Sequence, residues 1–135
     1  MDLSTITTDD LLAEVARRIE GQTKPESEVW PVVNGYEIKP DANLRGAYLR
    51  GADLGFAYLM YANLVDANLR GADLRVANLV DANLRFANLR DANLRGADLR
   101  GADLRDAQVS DNTTINLPTG WKIENGLIAA LEGER

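Results

Sequence analysis

The sequence predicts an all-β solenoid with a cap at each end. Three observations lead to this prediction: an apolar residue recurs at every fifth position through half of the chain, an alanine lies two residues before each one, and the flanking segments lack this repeat. An α-helix would spread residues five apart over all its sides, and a flat strand would turn them to alternate faces. Short extended pieces joined by corners that all turn the same way bring every such residue inside, so the period predicts a coiled chain.

The repeat comprises fourteen units without a gap, from Ala42 to Asp111. The residue before each centre is Asn, Asp, Tyr or Gln, the residue after it is usually Arg, and the next is usually Gly or Asp. The period alone leaves the number of sides open, because Arg50, Arg70 and Arg90 recur at twenty residues whereas the string VDANL recurs at fifteen. The centres are Leu44, Leu49, Leu54, Leu59, Leu64, Leu69, Leu74, Leu79, Leu84, Leu89, Leu94, Leu99, Leu104 and Val109.

This unit resembles that of the pentapeptide-repeat family, which reads A-(D/N)-L-x-x. The resemblance covers residues 42–111, about half of the chain. It implies a right-handed quadrilateral parallel β-helix with four units to a coil, in which residue n stacks on residue n+20. The fold class expected from the resemblance is therefore all-β, with a short N-terminal α-helix and a C-terminal capping segment outside the coil.

Residues 1–41 are predicted to hold a helix, a linker and capping strands. The segment TTDDLLAEVARRIEG has a threonine N-cap, two aspartates in the first turn and Gly21 as a stop, which together predict a helix near residues 9–20. The polar segment QTKPESE reads as a linker. The segment VWPVVNGYEIKP predicts two short strands around the Asn34-Gly35 pair.

Residues 112–135 are predicted to form a C-terminal cap. The segment WKIENGLIAA suggests a hairpin that turns at Asn125-Gly126, and Trp121 is a candidate lid for the last coil. Such caps are expected because an open solenoid end would expose backbone edges and core leucines to water.

The residues needed for catalysis are nearly absent, so we expect no enzyme and no cofactor. The chain has no histidine and no cysteine, which excludes histidine-based triads and thiolate metal sites. It lacks the glycine-rich phosphate-binding motifs and the calcium-binding β-helix signature. We therefore expect no metal site and interpret the aspartates in the repeat as solvated or corner-bonding groups, among them Asp53, Asp73, Asp98 and Asp103.

The charge distribution limits the partners. The net charge is −6, but residues 42–111 hold nine arginines and nine aspartates, so the repeats are neither acidic nor basic as a whole. Direct nucleic-acid binding needs clustered positive charge and is not expected. The N-terminus lacks the pattern of a signal peptide, and no apolar run approaches the ~18 residues of a membrane span. We therefore expect a cytoplasmic protein.

A candidate interaction surface arises where the repeat departs from its consensus. With a coil of twenty residues, the departing side chains would form an outward-facing apolar patch near the N-terminal end of the solenoid. Such a patch usually marks a contact. Either the helix covers it with its own apolar stripe, or a partner or second copy binds it; we favour the helix, whose stripe also needs a place to pack. The patch consists of Phe56, Tyr58, Met60, Tyr61, Val76 and Val80, and the docking face of the helix of Leu12, Val15 and Ile19.

The function expected is that of a non-enzymatic rigid scaffold that binds a protein partner, with self-association into a homodimer as one form. The alternative comes from the resemblance, because some pentapeptide-repeat proteins modulate DNA gyrase, a type II topoisomerase, by imitating the DNA duplex. Those proteins are acidic along much of the rod, longer, and paired through their C-termini, whereas here an arginine follows most repeat centres.

Overall fold

The computed structural model describes residues 29–131. The chain divides into two compact units, residues 1–30 and 31–135, and the architecture below is that of the second. The predicted helix, its docking face and the linker lie outside the described residues. Within residues 29–131 there is no α-helix, and hence none that could span a bilayer. The named strands are β1 Val32–Val33, β2 Tyr36–Glu37, β3 Trp121–Glu124 and β4 Leu127–Ala130.

The repeat forms a coil of twenty residues per turn. Parallel β-bridges join the residue before a repeat centre to the residue twenty positions later, beginning with Asn43 and Asn63 and continuing to Asn88 and Gln108. Twenty residues hold four five-residue units, so each coil has four sides and the fourteen units make three and a half coils. We number the sides from 1 to 4 in chain order, with Leu44, Leu49, Leu54 and Leu59 as the centres of the first coil.

Each corner is a hydrogen-bonded turn whose third residue has a positive φ. The N–H of Ala47 donates to the C=O of Leu44 at 3.0 Å, and the intervening Gly46 has φ 67°. A positive φ at this position is typical of a type II turn and favours Gly, Asn and Asp. The preference for Gly or Asp two residues past each centre therefore follows from the backbone.

The Asn or Asp before each centre serves the same corner. The side-chain oxygen of Asn68, for example, accepts the backbone N–H of Arg70 at 3.1 Å. Asp53, Asp73, Asp98 and Asp103 accept the N–H two residues ahead in the same way, so they are corner-bonding groups. This local bond replaces a partner that the ladder cannot supply and stabilises the turn.

Leucine and alanine fill the interior in columns. The central leucines are between 0 and 3% exposed, and nearly all the alanines two residues before them are also buried. At roughly 1.5–3 kcal/mol per buried leucine, these columns supply most of the stabilising free energy.

The N-terminal cap is confirmed as a hairpin. Strands β1 and β2 pair antiparallel, with Val33 opposite Tyr36, and the turn between them is the predicted Asn34-Gly35 pair, in which both residues have a positive φ. Ile38 follows β2 and is 2% exposed within the core cluster. The N–H of Asp41 then donates to the C=O of Met60, so the ladder begins one residue before the first alanine of the repeat.

The C-terminal cap is also a hairpin, with Asn125-Gly126 at its turn as predicted. Strand β4 lies antiparallel along the last coil, where the N–H of Ile128 donates to the C=O of Ala107 at 2.9 Å. Ile128 is fully buried, whereas Trp121, the predicted lid, is only half-buried against the core. Ile128 is the better lid because the antiparallel bond fixes its side chain over the interior.

Candidate interaction surface

Four corners carry a bulky apolar residue in place of Gly or Asp. From Gly46 to Asp106 every corner residue has a positive φ; five of them are glycine and four are aspartate. The remaining four are Phe56, Tyr61, Val76 and Phe86, with φ between 59° and 62°. An L-residue with a Cβ in this region loses about 1–2 kcal/mol, and a β-branched residue such as valine is a genuine outlier there.

These strained residues are also exposed. Phe56 is 70% accessible, Val76 51%, Tyr61 48% and Phe86 44%. Burial within the described structure therefore does little to offset the cost of their strained backbone. Gly or Asp at the same positions would form the same turn with less strain. Backbone strain retained at exposed positions indicates a requirement other than the stability of the fold.

Three of the four lie together with the other residues of the predicted patch. Phe56 and Val76 stack on each other at the corner between sides 3 and 4. There the N–H of Phe56 donates to the C=O of Arg75 in the next coil. Tyr61 lies on the corner between sides 4 and 1. We call side 4 with these two corners the apolar wall; its residues are Phe56, Tyr58, Met60, Tyr61, Val76 and Val80.

The prediction that all six side chains face outward is wrong for Met60. Its side chain is 1% exposed, and those of Tyr58 and Val80 are half-buried. An apolar side chain at this position gains by folding against its neighbours, whereas arginine keeps its guanidinium in water. The accessible part of the wall is therefore formed mainly by Phe56, Tyr61 and Val76.

Phe86 was missed by the sequence analysis. It lies on the corner between sides 1 and 2, away from the apolar wall, and the guanidinium carbon of Arg85 is 5.5 Å from the centre of its ring. That distance is typical of a cation–π contact. The signal was present in the sequence, because Phe86 occupies the same repeat position as Phe56 and Val76.

Three aspartates pair with the arginine two residues ahead. Each arginine forms a bidentate bond with both carboxylate oxygens, with the shorter distances at 2.6–2.7 Å, and bidentate charged bonds are the strongest of their kind. The side-chain hydrogen bond from arginine holds the pKa of each of these aspartates below its usual value. The pairs are Asp73–Arg75, Asp98–Arg100 and Asp103–Arg105.

Corner bonds and these pairs occupy the carboxylates that could otherwise have suggested a metal site. Among residues 29–131 no group of three or more His, Cys, Asp or Glu side chains is arranged to hold a metal ion.

Two of the three comparisons with known proteins found similarity, and both found pentapeptide repeats. The profile of the family described as pentapeptide repeats (8 copies) matches residues 41–75 and 77–111, just over half of the chain. No curated protein sequence matches significantly. The solved structures that match include those of several pentapeptide-repeat proteins.

Three of these structures show the extent of the similarity. A pentapeptide-repeat protein of Nostoc PCC 7120 is 44% identical over 56% of this chain and 70% of its own, with a TM-score of 0.29. One from the thylakoid lumen of Arabidopsis thaliana is 25% identical over 75% of this chain and 79% of its own, with a TM-score of 0.38. HetL, a protein of Nostoc sp. strain PCC 7120 involved in heterocyst differentiation regulation, is 36% identical over 56% of this chain and 42% of its own, with a TM-score of 0.20.

Proposed function

This chain belongs to the pentapeptide-repeat family, and on that premise we propose that it is a non-enzymatic scaffold that binds a protein partner through the apolar wall. The family fold implies that the coil is right-handed as well as four-sided. A stack of hydrogen-bonded coils is a rigid support, and a rigid support lowers the entropy that side chains lose on binding. Function then depends on which side chains the coil presents.

The observation that carries the proposal is the strain at Phe56, Tyr61 and Val76. At about 1–2 kcal/mol each, these three corners together cost a sizeable part of the 5–15 kcal/mol that stabilises an ordinary domain. Large aromatic side chains that stand out from a rigid backbone are the groups that contribute most at protein interfaces. We infer that the wall trades stability for binding.

Partners of this wall fall into two classes, another protein and a second copy of this chain. A homodimer would bury the wall of one protomer against the same wall of its partner around a two-fold axis. The measurement that separates the classes is the mass of the protein in solution as its concentration rises. Direct nucleic-acid binding and membrane binding are not part of the proposal.

The test uses asparagine at the three exposed corner positions of the wall, because asparagine adopts a positive φ readily and is polar. The triple variant F56N/Y61N/V76N should be at least as stable as the native protein and should lose the bound partner in affinity capture from the host. The matched control replaces Asp66, Asp91 and Asp106, which are corner aspartates outside the wall, with asparagine and should retain the partner. Retention of the same partner by both variants would overturn the proposal.

Imitation of DNA at a type II topoisomerase remains the second candidate and is less well supported. A DNA mimic needs rows of free carboxylates in place of phosphates. Here three aspartates of the repeat are neutralised by bidentate arginines, and a fourth, Asp91, accepts from Arg70 at 3.4 Å. The proposed location of the protein is the cytoplasm.

A further inference from the structure

The last coil has an open ladder edge on side 4 and at the start of side 1. In the coil below, the N–H groups of Leu79, Asp81 and Leu84 donate to carbonyls of the next coil at 2.8–2.9 Å. Twenty residues later the equivalent N–H groups of Leu99, Gly101 and Leu104 have no acceptor among residues 29–131, and the carbonyls of Ala97 and Ala102 have no donor there. Two units of edge are thus unpaired.

The edge is open because the chain leaves the ladder early. Side 3 of the last coil is still covered, since Leu94 donates to the C=O of Thr114. Strand β4 covers the ladder from Asp106 to Val109. Between these two points the chain passes through Pro118, whose fixed φ and missing N–H are incompatible with a central ladder position.

A groove of about 810 Å³ borders this edge from Gly101 onward. One wall is formed by residues 101–103, 105 and 106, and the others by residues 118–121 and by Ile128, Ala129 and Ala130 at the end of β4. Pockets that bind ligands are commonly 300–1,000 Å³, so this groove is large enough for a short peptide.

We propose that this groove is a peptide site in which an extended segment of a partner protein adds to the ladder above Leu99–Leu104. Unpaired N–H and C=O groups in ladder spacing recognise backbone and not a particular side chain. The edge bends at Gly101, which has φ 71°, so the bound segment must bend at the same place. It therefore needs Gly, Asn or Asp at its centre, with alanine or leucine on either side to face the cap.

The site is independent of the apolar wall, because it requires none of the exposed corner residues of that wall. The two can be tested separately, since removal of the wall side chains leaves the ladder edge of the last coil in place.

The probe is a fluorescent nonapeptide with the sequence of residues 97–105, ADLRGADLR, which has the required bend and spacing. We expect saturable binding to the full chain, measured by fluorescence anisotropy. The same peptide with proline in place of its glycine cannot take a positive φ and should bind at least about tenfold more weakly. A failure of the glycine peptide to bind at millimolar protein, or equal binding of both peptides, would overturn the proposal.

Protein variants locate the site. Thr119 is exposed on the wall of the groove, so Thr119→Trp should fill the groove and weaken peptide binding by about tenfold or more. Asn112→Trp is the matched control, since Asn112 is exposed and does not line the groove. Equal peptide affinity in the two variants contradicts the proposed site.

Amide hydrogen exchange tests the edge directly. In the free protein the amides of Leu99, Gly101 and Leu104 should exchange at least about tenfold faster than those of Leu79, Asp81 and Leu84, and the peptide should slow them. Protection that rises with protein concentration alone would assign the edge to a second copy. Protection lost on removal of residues 132–135 would assign it to the chain's own end. Either result overturns the proposal.

Discussion

Truncation of a single core leucine in the middle coil should remove a large fraction of the stability of the solenoid. Leu74 is fully buried and stacks in one column between Leu54 and Leu94. Leu74→Ala removes apolar contact with the coil above and the coil below. Loss of a buried leucine side chain costs between about 2 and 5 kcal/mol, depending on how far the surroundings collapse into the cavity.

The ladder places this variant in the upper part of that range. The N–H of Leu74 donates to Asn93 and the N–H of Leu54 donates to Asp73, both at 2.7 Å, so backbone bonds hold the coils apart on both sides of the cavity. The cavity can collapse little, and we expect a loss of about 3–5 kcal/mol. For a chain of this length that corresponds to a fall in Tm of roughly 10–20 °C.

The assay is thermal and urea denaturation followed by circular dichroism, with Arg75→Ala as the neighbouring control. Arg75 points outward with 58% of its side chain exposed, so loss of its solvent-screened ion pair should change the melting temperature very little. Leu74→Asp, or Leu94→Asp in the next coil, would bury an unpaired charge and should not fold. Equal melting losses for Leu74→Asp and Arg75→Ala would refute the inward and outward assignment on which the fold is argued.

Four further predictions concern the corners, the ion pairs, the N-terminal segment and the alternative function. Gly101→Ala and Gly46→Ala should lower the urea midpoint by similar amounts, because both glycines have a positive φ and the carboxylate of the exposed Asp81, the one group that a Cβ at Gly101 would overlap, can rotate away; a much larger loss for Gly101→Ala would contradict this reasoning. The three Asp–Arg pairs should stabilise the fold above pH ~4, with the contribution lost as pH falls through the lowered pKa of the folded aspartates, and replacement of all three aspartates by asparagine should flatten that dependence. Deletion of residues 1–22 should increase dye binding or self-association if the predicted helix covers the apolar wall. A truncated protein that stays monomeric, binds no dye and melts at the same temperature would mean that the helix does not cover the wall. Purified protein should not inhibit gyrase supercoiling, and salt-sensitive inhibition near the enzyme's own concentration would instead support the DNA-mimic alternative.

Several features of the fold were determined by sequence alone because they depend on interactions within a few residues. The five-residue period assigns alanine and leucine to the interior, since only a chain with regular corners can bury both. Two Asn-Gly pairs identified the two capping hairpins, because both residues of such a turn must take a positive φ. The aspartates before the centres were predicted to be solvated or corner-bonding groups, and they are corner-bonding, since their oxygens accept an N–H two residues away.

The tertiary structure decided the features that depend on how one coil meets the next. Four sides per coil follow from the bridges between residues twenty apart. The number of sides depends on the angle through which each corner turns the chain, and a sequence period of five does not encode that angle. Burial of Met60 and the role of Ile128 as a lid also depend on packing between segments that are distant in sequence. The same is true of the open edge from Leu99 to Leu104, whose residues match the repeat as well as any others. Their N–H groups lack partners because the segment that would stack above them leaves the ladder at Pro118. The hydrogen-bond partner of a backbone group in this fold lies about twenty residues further along the chain, so the local sequence does not determine whether it is present.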